Sequence, residues 1–268
     1  MGALAPIRSA LAAARDVLFP PICPLCREET GADGTLCPSC WQETAFLDGG
    51  GCRSCGRPIP GAADEPDLTC EDCLRYAPLW HEGRAALRYE GGGRRLVLGL
   101  KHADRLDTVP MLGAWMLRVG RGLLDKADLV APIPLHWTRR LKRRNNQAAS
   151  LARWLCRAEG RPGTYAPGLL VRQRRTESQE GKSRAARTAN LEGSLIPGPG
   201  AARMKDRRVL LIDDVMTTGA TLNAAAKVCL DAGAARVDIL VLALVVRDET
   251  AYIPMPDENE DEAPNGSG

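Results

Sequence analysis

VLLIDDVMTTGAT, residues Val209 to Thr221, is the stretch that decides the fold of this chain. Four apolar residues predict a buried strand, two aspartates follow it, and a Thr/Gly turn leads into an Ala-rich helix predicted from Ala220 to Ala232. The apolar run from Val237 to Val246 predicts the next strand. A strand, a crossover helix and a strand form a parallel pair, so we expect a sheet with helices on its faces and a ligand site beyond the carboxyl ends of its strands.

The chain upstream of this stretch shows the same alternation from about Arg84. An α/β domain with a parallel sheet and flanking helices is therefore the expected fold class. The predicted strands are Ala85 to Tyr89, Asp128 to Pro134 and Gly168 to Val171, and the predicted helices are Arg94 to His102, Thr108 to Gly122 and Arg139 to Glu159.

The turn after the two aspartates has the composition of a phosphate site. The exposed amides of Thr217 to Thr221, the threonine hydroxyls and the positive end of the following helix all favour an anion, and Gly219 lets the backbone approach it closely. Asp213 and Asp214 would repel a phosphate, but they suit sugar hydroxyls or a magnesium ion held through water. A ligand with a diol at one end and a phosphate at the other, such as a phosphorylated ribose, satisfies both demands.

Two other interpretations of the same residues remain open. VLLIDD is also typical of a Walker B strand, and Gly181 to Ser183 ends like a Walker A loop, which would indicate a nucleotide triphosphatase. That loop requires glycine at position 176, where this chain has Thr176, and a strand that runs directly into it. The third interpretation is a strand, turn and helix without any ligand.

Eight of the ten cysteines form a metal-binding pattern near the N-terminus. CxxC spacing lets two thiolates face one ion, and two such pairs complete the four-sulfur shell of a structural zinc site. We expect two zinc ions bound by pairs taken in sequence, although interleaved pairs, a redox dithiol and an iron–sulfur cluster are alternatives. Cys156 and Cys229 lie in helical patterns and are expected to fill the core. The four pairs are Cys23/Cys26, Cys37/Cys40, Cys52/Cys55 and Cys70/Cys73.

Composition sets the expected domain boundaries. We expect an amphipathic helix at residues 1–19 and a double zinc-ribbon module, with four cysteines per ion, at residues 20–80. We expect the α/β domain at residues 81–247 and a disordered acidic tail at residues 248–268. No apolar run reaches the roughly 18 residues that a membrane span needs, so we expect a cytoplasmic protein without membrane insertion. Basic clusters, such as the one at 139–144, suit polyanionic partners.

The quoted stretch resembles the phosphoribosyl pyrophosphate signature of type I phosphoribosyltransferases, with Ala220 where many members carry a second glycine. The whole chain resembles the ComF family, the competence protein F-like proteins. This resemblance rests on CPLC and CPSC in the cysteine region, on Lys101, and on APIPLHWTRR from Ala131, RRNNQA from Arg143 and QEGKSRAARTANLEG from Gln179.

The resemblance implies roles for particular residues. Asp213 and Asp214 would bind the ribose hydroxyls, Lys101 would contact pyrophosphate, and these three are the candidate catalytic residues. The 5-phosphate would be bound by Thr217, Thr218, Gly219, Ala220 and Thr221. The implied pyrophosphate loop and basic flexible loop contain Pro132, Ile133, Pro134, Leu135, His136, Arg175, Gln179, Arg184 and Arg187.

Two functions follow from the resemblance. The first is a magnesium-assisted phosphoribosyltransferase, a glycosyltransferase whose nitrogen acceptor is left open, linked to DNA uptake in natural transformation. The alternative is a non-catalytic competence module that binds single-stranded DNA, uses the fold as a ligand sensor and contacts other DNA-processing proteins. In that case Trp41, Trp80 and Trp137 would stack on bases.

Overall fold

The computed structural model describes residues 20–47, 51–61, 68–102, 105–135, 145–173 and 194–246. The predicted N-terminal helix at 1–19, the acidic tail and most of the basic loop lie outside the described residues. In chain order the strands are β1 (Gly83–Arg88), β2 (Leu129–Pro132), β3 (Leu170–Arg172), β4 (Leu195–Pro197), β5 (Arg208–Met216) and β6 (Arg236–Leu244). The α-helices are α1 (Pro38–Gln42), α2 (Glu71–Arg75), α3 (Gly91–His102), α4 (Val109–Lys126), α5 (Gln147–Ala158) and α6 (Ala220–Asp231).

Four parallel strands form the main sheet in the order β1-β6-β5-β2. The two central strands, β5 and β6, each contain a run of at least four buried apolar residues, because a strand covered on both faces by helices has no solvent-facing side. A separate antiparallel pair, β3 with β4, carries the two ends of the predicted basic loop. The predicted α/β class with a parallel sheet is confirmed.

The helices divide into two layers, one on each face of the sheet. Leu210 and Ile212 of β5 pack in the layer that contains α3, α4 and α5. Val209 and Leu211, the alternate residues of the same strand, pack in the layer that contains α6. From residue 209 to residue 212, this division follows from the two-residue period of a strand.

Several predicted element boundaries are wrong, and two of these errors affect the candidate site. The strand predicted to stop at Ile212 continues through both aspartates to Met216, because its pairing with β6 persists through Asp213–Val241 and Met216–Leu244. The helix predicted from Arg139 starts at Gln147 instead, where Asn146 caps it by accepting a hydrogen bond from the Ala149 amide at 3.3 Å. Residues 139–144 lie outside the described residues.

Replacement of Leu211 by alanine should lower the free energy of unfolding by about 3 kcal/mol, because its fully buried side chain would leave a cavity beneath α6. Urea unfolding followed by circular dichroism measures the loss. Leu230→Ala makes the same chemical change on α6 at a position with 36% exposure, and it should cost less than about 1 kcal/mol. Equal losses would contradict the central position of Leu211.

Candidate functional site

Two four-cysteine clusters lie at the N-terminal end of the described chain. Cys23, Cys26, Cys37 and Cys40 form the first, and Cys52, Cys55, Cys70 and Cys73 the second, with all ligand atoms of each cluster within 4.8 Å of one another. The Cys26 and Cys37 sulfurs are 3.4 Å apart and those of Cys55 and Cys70 are 3.7 Å apart. Four thiolates about 2.3 Å from a tetrahedral zinc ion would be separated by roughly 3.8 Å, so both clusters fit zinc. The pairs are used in sequence, as predicted.

Both clusters are built from the same local structure. The first CxxC pair of each closes a tight turn, with Arg27 N donating to Cys23 O and Gly56 N donating to Cys52 O. The second pair brackets the start of a short helix, α1 in one case and α2 in the other. Burial opposes ionisation of the Cys23 thiol, but hydrogen bonds from nearby backbone amides outweigh burial and lower its pKa to about 6. The turn therefore stabilises the thiolate that a zinc ion binds.

The two aspartates of β5 lie on opposite faces of the sheet, as strand alternation requires. Asp214 is on the face of α3, where Lys101 Nζ lies 3.0 Å from its Oδ1. Asp213 is on the face of α6, and its Oδ1 accepts a hydrogen bond from the Asp214 amide at 2.9 Å. Burial and the neighbouring Asp214 carboxylate raise the pKa of Asp213 to about 7. Lys101 therefore lies beside the two aspartates and forms an ion pair with Asp214.

The Thr/Gly turn connects β5 directly to α6. Gly219 is the N-cap residue of this helix and has a left-handed backbone with φ of 74°, a conformation that favours glycine. The first backbone bond of the helix runs from Asn223 N to Gly219 O at 2.8 Å. The amides that precede this bond have no partner within the helix and point out of its positive end. Thr217 is exposed and Thr218 half-buried, so both are open to a ligand.

The predicted pyrophosphate loop begins where β2 ends, at the sheet edge that also carries the aspartates. Ile133 N donates to Ile212 O at 2.9 Å, and Asn146 Nδ2 donates to Ile133 O at 3.1 Å. Asn146 therefore joins the loop to the start of α5. Pro132, Pro134 and Leu135 line one wall of a cleft of about 570 Å³. His136, Arg175, Gln179, Arg184 and Arg187 lie outside the described residues.

The structure also shows interactions of Arg172, the first residue of the predicted basic loop, and of Gln147 that the sequence analysis did not predict. Arg172, at the end of β3, lies close enough for its positive charge to favour the ionised form of Asp213. Gln147, buried at the start of α5, donates from Nε2 to Leu100 O at 3.2 Å and so fixes the end of α3 next to Lys101. Neither contact leaves a sequence signal, because both join elements that are distant in the chain.

A third group of possible metal ligands is made of His81, Glu82 and Asp238. Its two carboxylates are already bound by Arg236, at 3.2 Å from Glu82 and 2.9 Å from Asp238. The Asp238 carboxylate also accepts a hydrogen bond from the Glu82 amide at 3.0 Å. We therefore assign this group to the joining of β1 and β6 and not to a metal.

Comparison with known proteins supports both parts of this description. Residues 14–74 match the double zinc ribbon domain family, and residues 161–263 match the phosphoribosyl transferase domain family. The chain is 28% identical over 235 residues to the DNA utilization protein YhgH of Escherichia coli (strain K12), which covers 82% of this chain and 89% of the relative. The predicted combination of a double zinc ribbon with a phosphoribosyltransferase domain is confirmed.

Two competence proteins are similar over comparable lengths. Competence protein F of Haemophilus influenzae is 26% identical over 217 residues, covering 79% of this chain and 91% of the relative. Competence protein ComFC of Bacillus subtilis (strain 168) is 27% identical over 210 residues, covering 76% of this chain and 81% of the relative.

Among the described residues, no helix combines the length and hydropathy that a bilayer span requires.

The purified chain should contain two zinc ions, one in each four-cysteine cluster, when its metal content is measured by mass spectrometry. Cys52→Ser should reduce the content to about one ion per chain, since a structural zinc site needs all four ligands. The matched control is Cys156→Ser, which changes a buried cysteine of α5 that belongs to neither cluster. Loss of zinc from the control, or its retention in Cys52→Ser, would contradict the assignment.

Proposed function

We propose that this chain, which joins a double zinc ribbon to a phosphoribosyltransferase domain, binds 5-phosphoribosyl pyrophosphate with Mg²⁺ in DNA uptake. The link to DNA uptake rests on its homologues competence protein F and ComFC. The observation that carries the proposal is the joint position of two carboxylates and an open helix N-terminus at the end of β5. We propose 20–80 for the ribbon module and 81–247 for the transferase domain, since β1 belongs to the main sheet.

The ribose end of the ligand would lie over Asp213 and Asp214. Their oxygens are hard ligands that suit both sugar hydroxyls and Mg²⁺, and Lys101 balances only part of their charge. Bound Mg²⁺ would supply positive charge to the diphosphate and the ribose hydroxyls together. Lys101 would keep the Asp214 carboxylate oriented on the α3 face while Asp213 stays on the α6 face.

The 5-phosphate would be bound by the turn from Thr217 to Thr221. The left-handed Gly219 turns the chain so that the first amides of α6 converge, and the helix dipole adds to their attraction for an anion. Ala220, which replaces a second glycine of the signature, is the first helical residue and needs no left-handed backbone. This departure therefore leaves the proposed phosphate site intact.

The diphosphate end would extend toward Pro132 to Leu135, because β2 ends beside β5 at the same edge. In the transfer reaction the bond from C1 of the ribose to the diphosphate oxygen breaks, and the diphosphate leaves with the bonding pair. A nitrogen nucleophile forms the new bond at C1 and loses its proton to solvent. Arg172 and the basic loop that follows it would stabilise the charge on the leaving group.

A second candidate function, single-stranded DNA binding, is favoured by an aromatic cluster where the first ribbon meets α4. Trp41 is 46% exposed, and its ring lies 4.3 Å from Phe46 and 6.2 Å from Trp115. Arg118 lies over the Phe46 ring at 5.8 Å. An exposed aromatic surface beside a cation is typical of proteins that stack on bases.

The other tryptophans contribute less to this second candidate. Trp80 is only 6% exposed, which leaves little of its ring free to stack on a base. Trp137 lies outside the described residues.

The double variant Asp213→Asn/Asp214→Asn should weaken binding of phosphoribosyl pyrophosphate and Mg²⁺ by about 100-fold, since it removes two charged hydrogen-bond acceptors. Isothermal titration calorimetry measures the affinity. The control is Asp231→Asn, which removes an exposed carboxylate paired with Lys227 at the far end of α6 and should leave the affinity unchanged. Equal affinity in the double variant would overturn the proposed site.

Pyrophosphate release with candidate bases distinguishes the enzyme from the ligand sensor. Release that depends on both the base and Asp213 supports the transferase. Binding of phosphoribosyl pyrophosphate without release of pyrophosphate, whichever acceptor base is added, supports the ligand sensor.

Trp41→Ala should weaken binding of a single-stranded oligonucleotide by about tenfold, because one base–aromatic stack is worth about 1–3 kcal/mol. Filter binding measures the affinity over a range of salt concentrations, and the affinity should fall as salt rises if backbone phosphates are bound. Leu74→Ala, at an apolar position with 71% exposure on the second ribbon, is the control. An unchanged affinity in Trp41→Ala would remove the second candidate.

A further inference from the structure

Trp80 lies between the second zinc cluster and the phosphate-binding turn. Its side chain is nearly buried, and its indole Nε1 donates a hydrogen bond to Ser54 O at 2.5 Å. Ser54 is inside the tight turn formed by Cys52 and Cys55, two of the four ligands of that cluster. One edge of the indole is therefore fixed by the backbone that carries two of the candidate zinc ligands.

The opposite edge of the indole contacts the turn itself. A Cβ atom built on Gly219 would lie 2.8 Å from Trp80 Cη2, closer than a real Cβ approaches another heavy atom. Gly219 is thus required here for two reasons, its left-handed backbone and the ring that packs on its Cα. The ring in turn limits the movement of the residue that opens α6.

The chain on both sides of Trp80 is anchored to the same two structures. Leu79 N donates to Asn223 Oδ1 on the first turn of α6 at 2.8 Å. On the ribbon side, Arg53 O accepts hydrogen bonds from Gly83 N at 2.9 Å and from Arg84 Nη1 at 3.1 Å. Trp80 is therefore held in place by backbone contacts and is not a freely rotating side chain.

The two zinc clusters differ in what they support. Cys23, Cys37 and Cys40 of the first cluster pack in the core layer of α3, α4 and α5. Cys52, Cys55 and Cys70 of the second pack in the layer of α6, together with Met216 at the end of β5. The second ribbon also forms a wall of a pocket of about 260 Å³ at the start of α6, lined by Tyr76, Pro78 and Trp80 opposite Thr218 and Gly219.

We propose that Trp80 is a positioning residue through which the second zinc cluster holds the Thr217 to Thr221 turn in its anion-binding shape, so that loss of this cluster's metal weakens binding of a phosphorylated ribose. The inference rests on the proposed function for its ligand. The physical basis is preorganisation, since a turn that is ordered before binding loses less entropy when the ligand arrives.

Calorimetry with phosphoribosyl pyrophosphate and Mg²⁺ tests the effect on affinity. Trp80→Leu removes both the ring and the indole N–H, and it should weaken binding by about tenfold. Trp80→Phe keeps an aromatic ring near Gly219 without the hydrogen bond to Ser54. Its affinity for the ligand should lie between those of Trp80→Leu and the wild type. The matched control is Trp154→Leu, because Trp154 also packs against a glycine, Gly113 of α4, away from the turn. Wild-type affinity in Trp80→Leu would overturn the proposal.

Hydrogen exchange of the backbone amides from 217 to 223 provides a test that needs no ligand. Exchange should be faster there in Trp80→Leu, and also in Cys73→Ser, which removes a ligand of the second cluster. Trp154→Leu should leave these amides at the wild-type rate. Unchanged exchange in both Trp80→Leu and Cys73→Ser would overturn the inference. Failure of the wild-type chain to bind the phosphoribosyl ligand would overturn the proposed function alone, because the exchange rates still decide the role of Trp80.

Discussion

The parallel pairing of β5 with β2 and β6 is the constraint on which the site depends. It brings the loop after β2, which is distant in sequence, to the edge of the sheet where β5 carries the aspartates and leads into the Thr/Gly turn. Asp213 and Asp214 are successive residues of β5, so their side chains point to opposite faces, where Lys101 pairs with Asp214 and the charge of Arg172 acts on Asp213. The main-chain hydrogen bonds of the sheet thus set the charge distribution of the site.

The metal clusters replace the apolar core that the N-terminal module lacks. Its segments are short and irregular, and a chain of this kind folds when metal–thiolate bonds supply the stability that apolar burial gives elsewhere. In this protein the clusters do not stand apart from the α/β domain. The cysteines of each one extend a different core layer of the sheet, so the ribbons and the sheet share their buried surfaces.

The sequence was most informative where a local pattern determines structure. The CxxC pairs predicted both clusters, the apolar runs predicted β5 and β6, and the Thr/Gly turn predicted the start of α6. Boundaries set by neighbours were missed, because the extent of β5 depends on its pairing with β6 and the start of α5 on the Asn146 cap. The contacts of Trp80 and Gln147 are also tertiary, and no spacing in the chain indicates them.

The position of the Trp80 indole has an optical consequence. Tryptophan emission responds to the polarity and mobility of its surroundings, and this ring is in contact with the backbone of Gly219 while largely shielded from water. The Thr/Gly turn therefore carries an intrinsic fluorophore at the residue where the proposed ligand would alter its emission. The difference in emission between the wild type and Trp80→Phe isolates this signal from the other tryptophans, so occupancy of the turn can be followed without an attached dye.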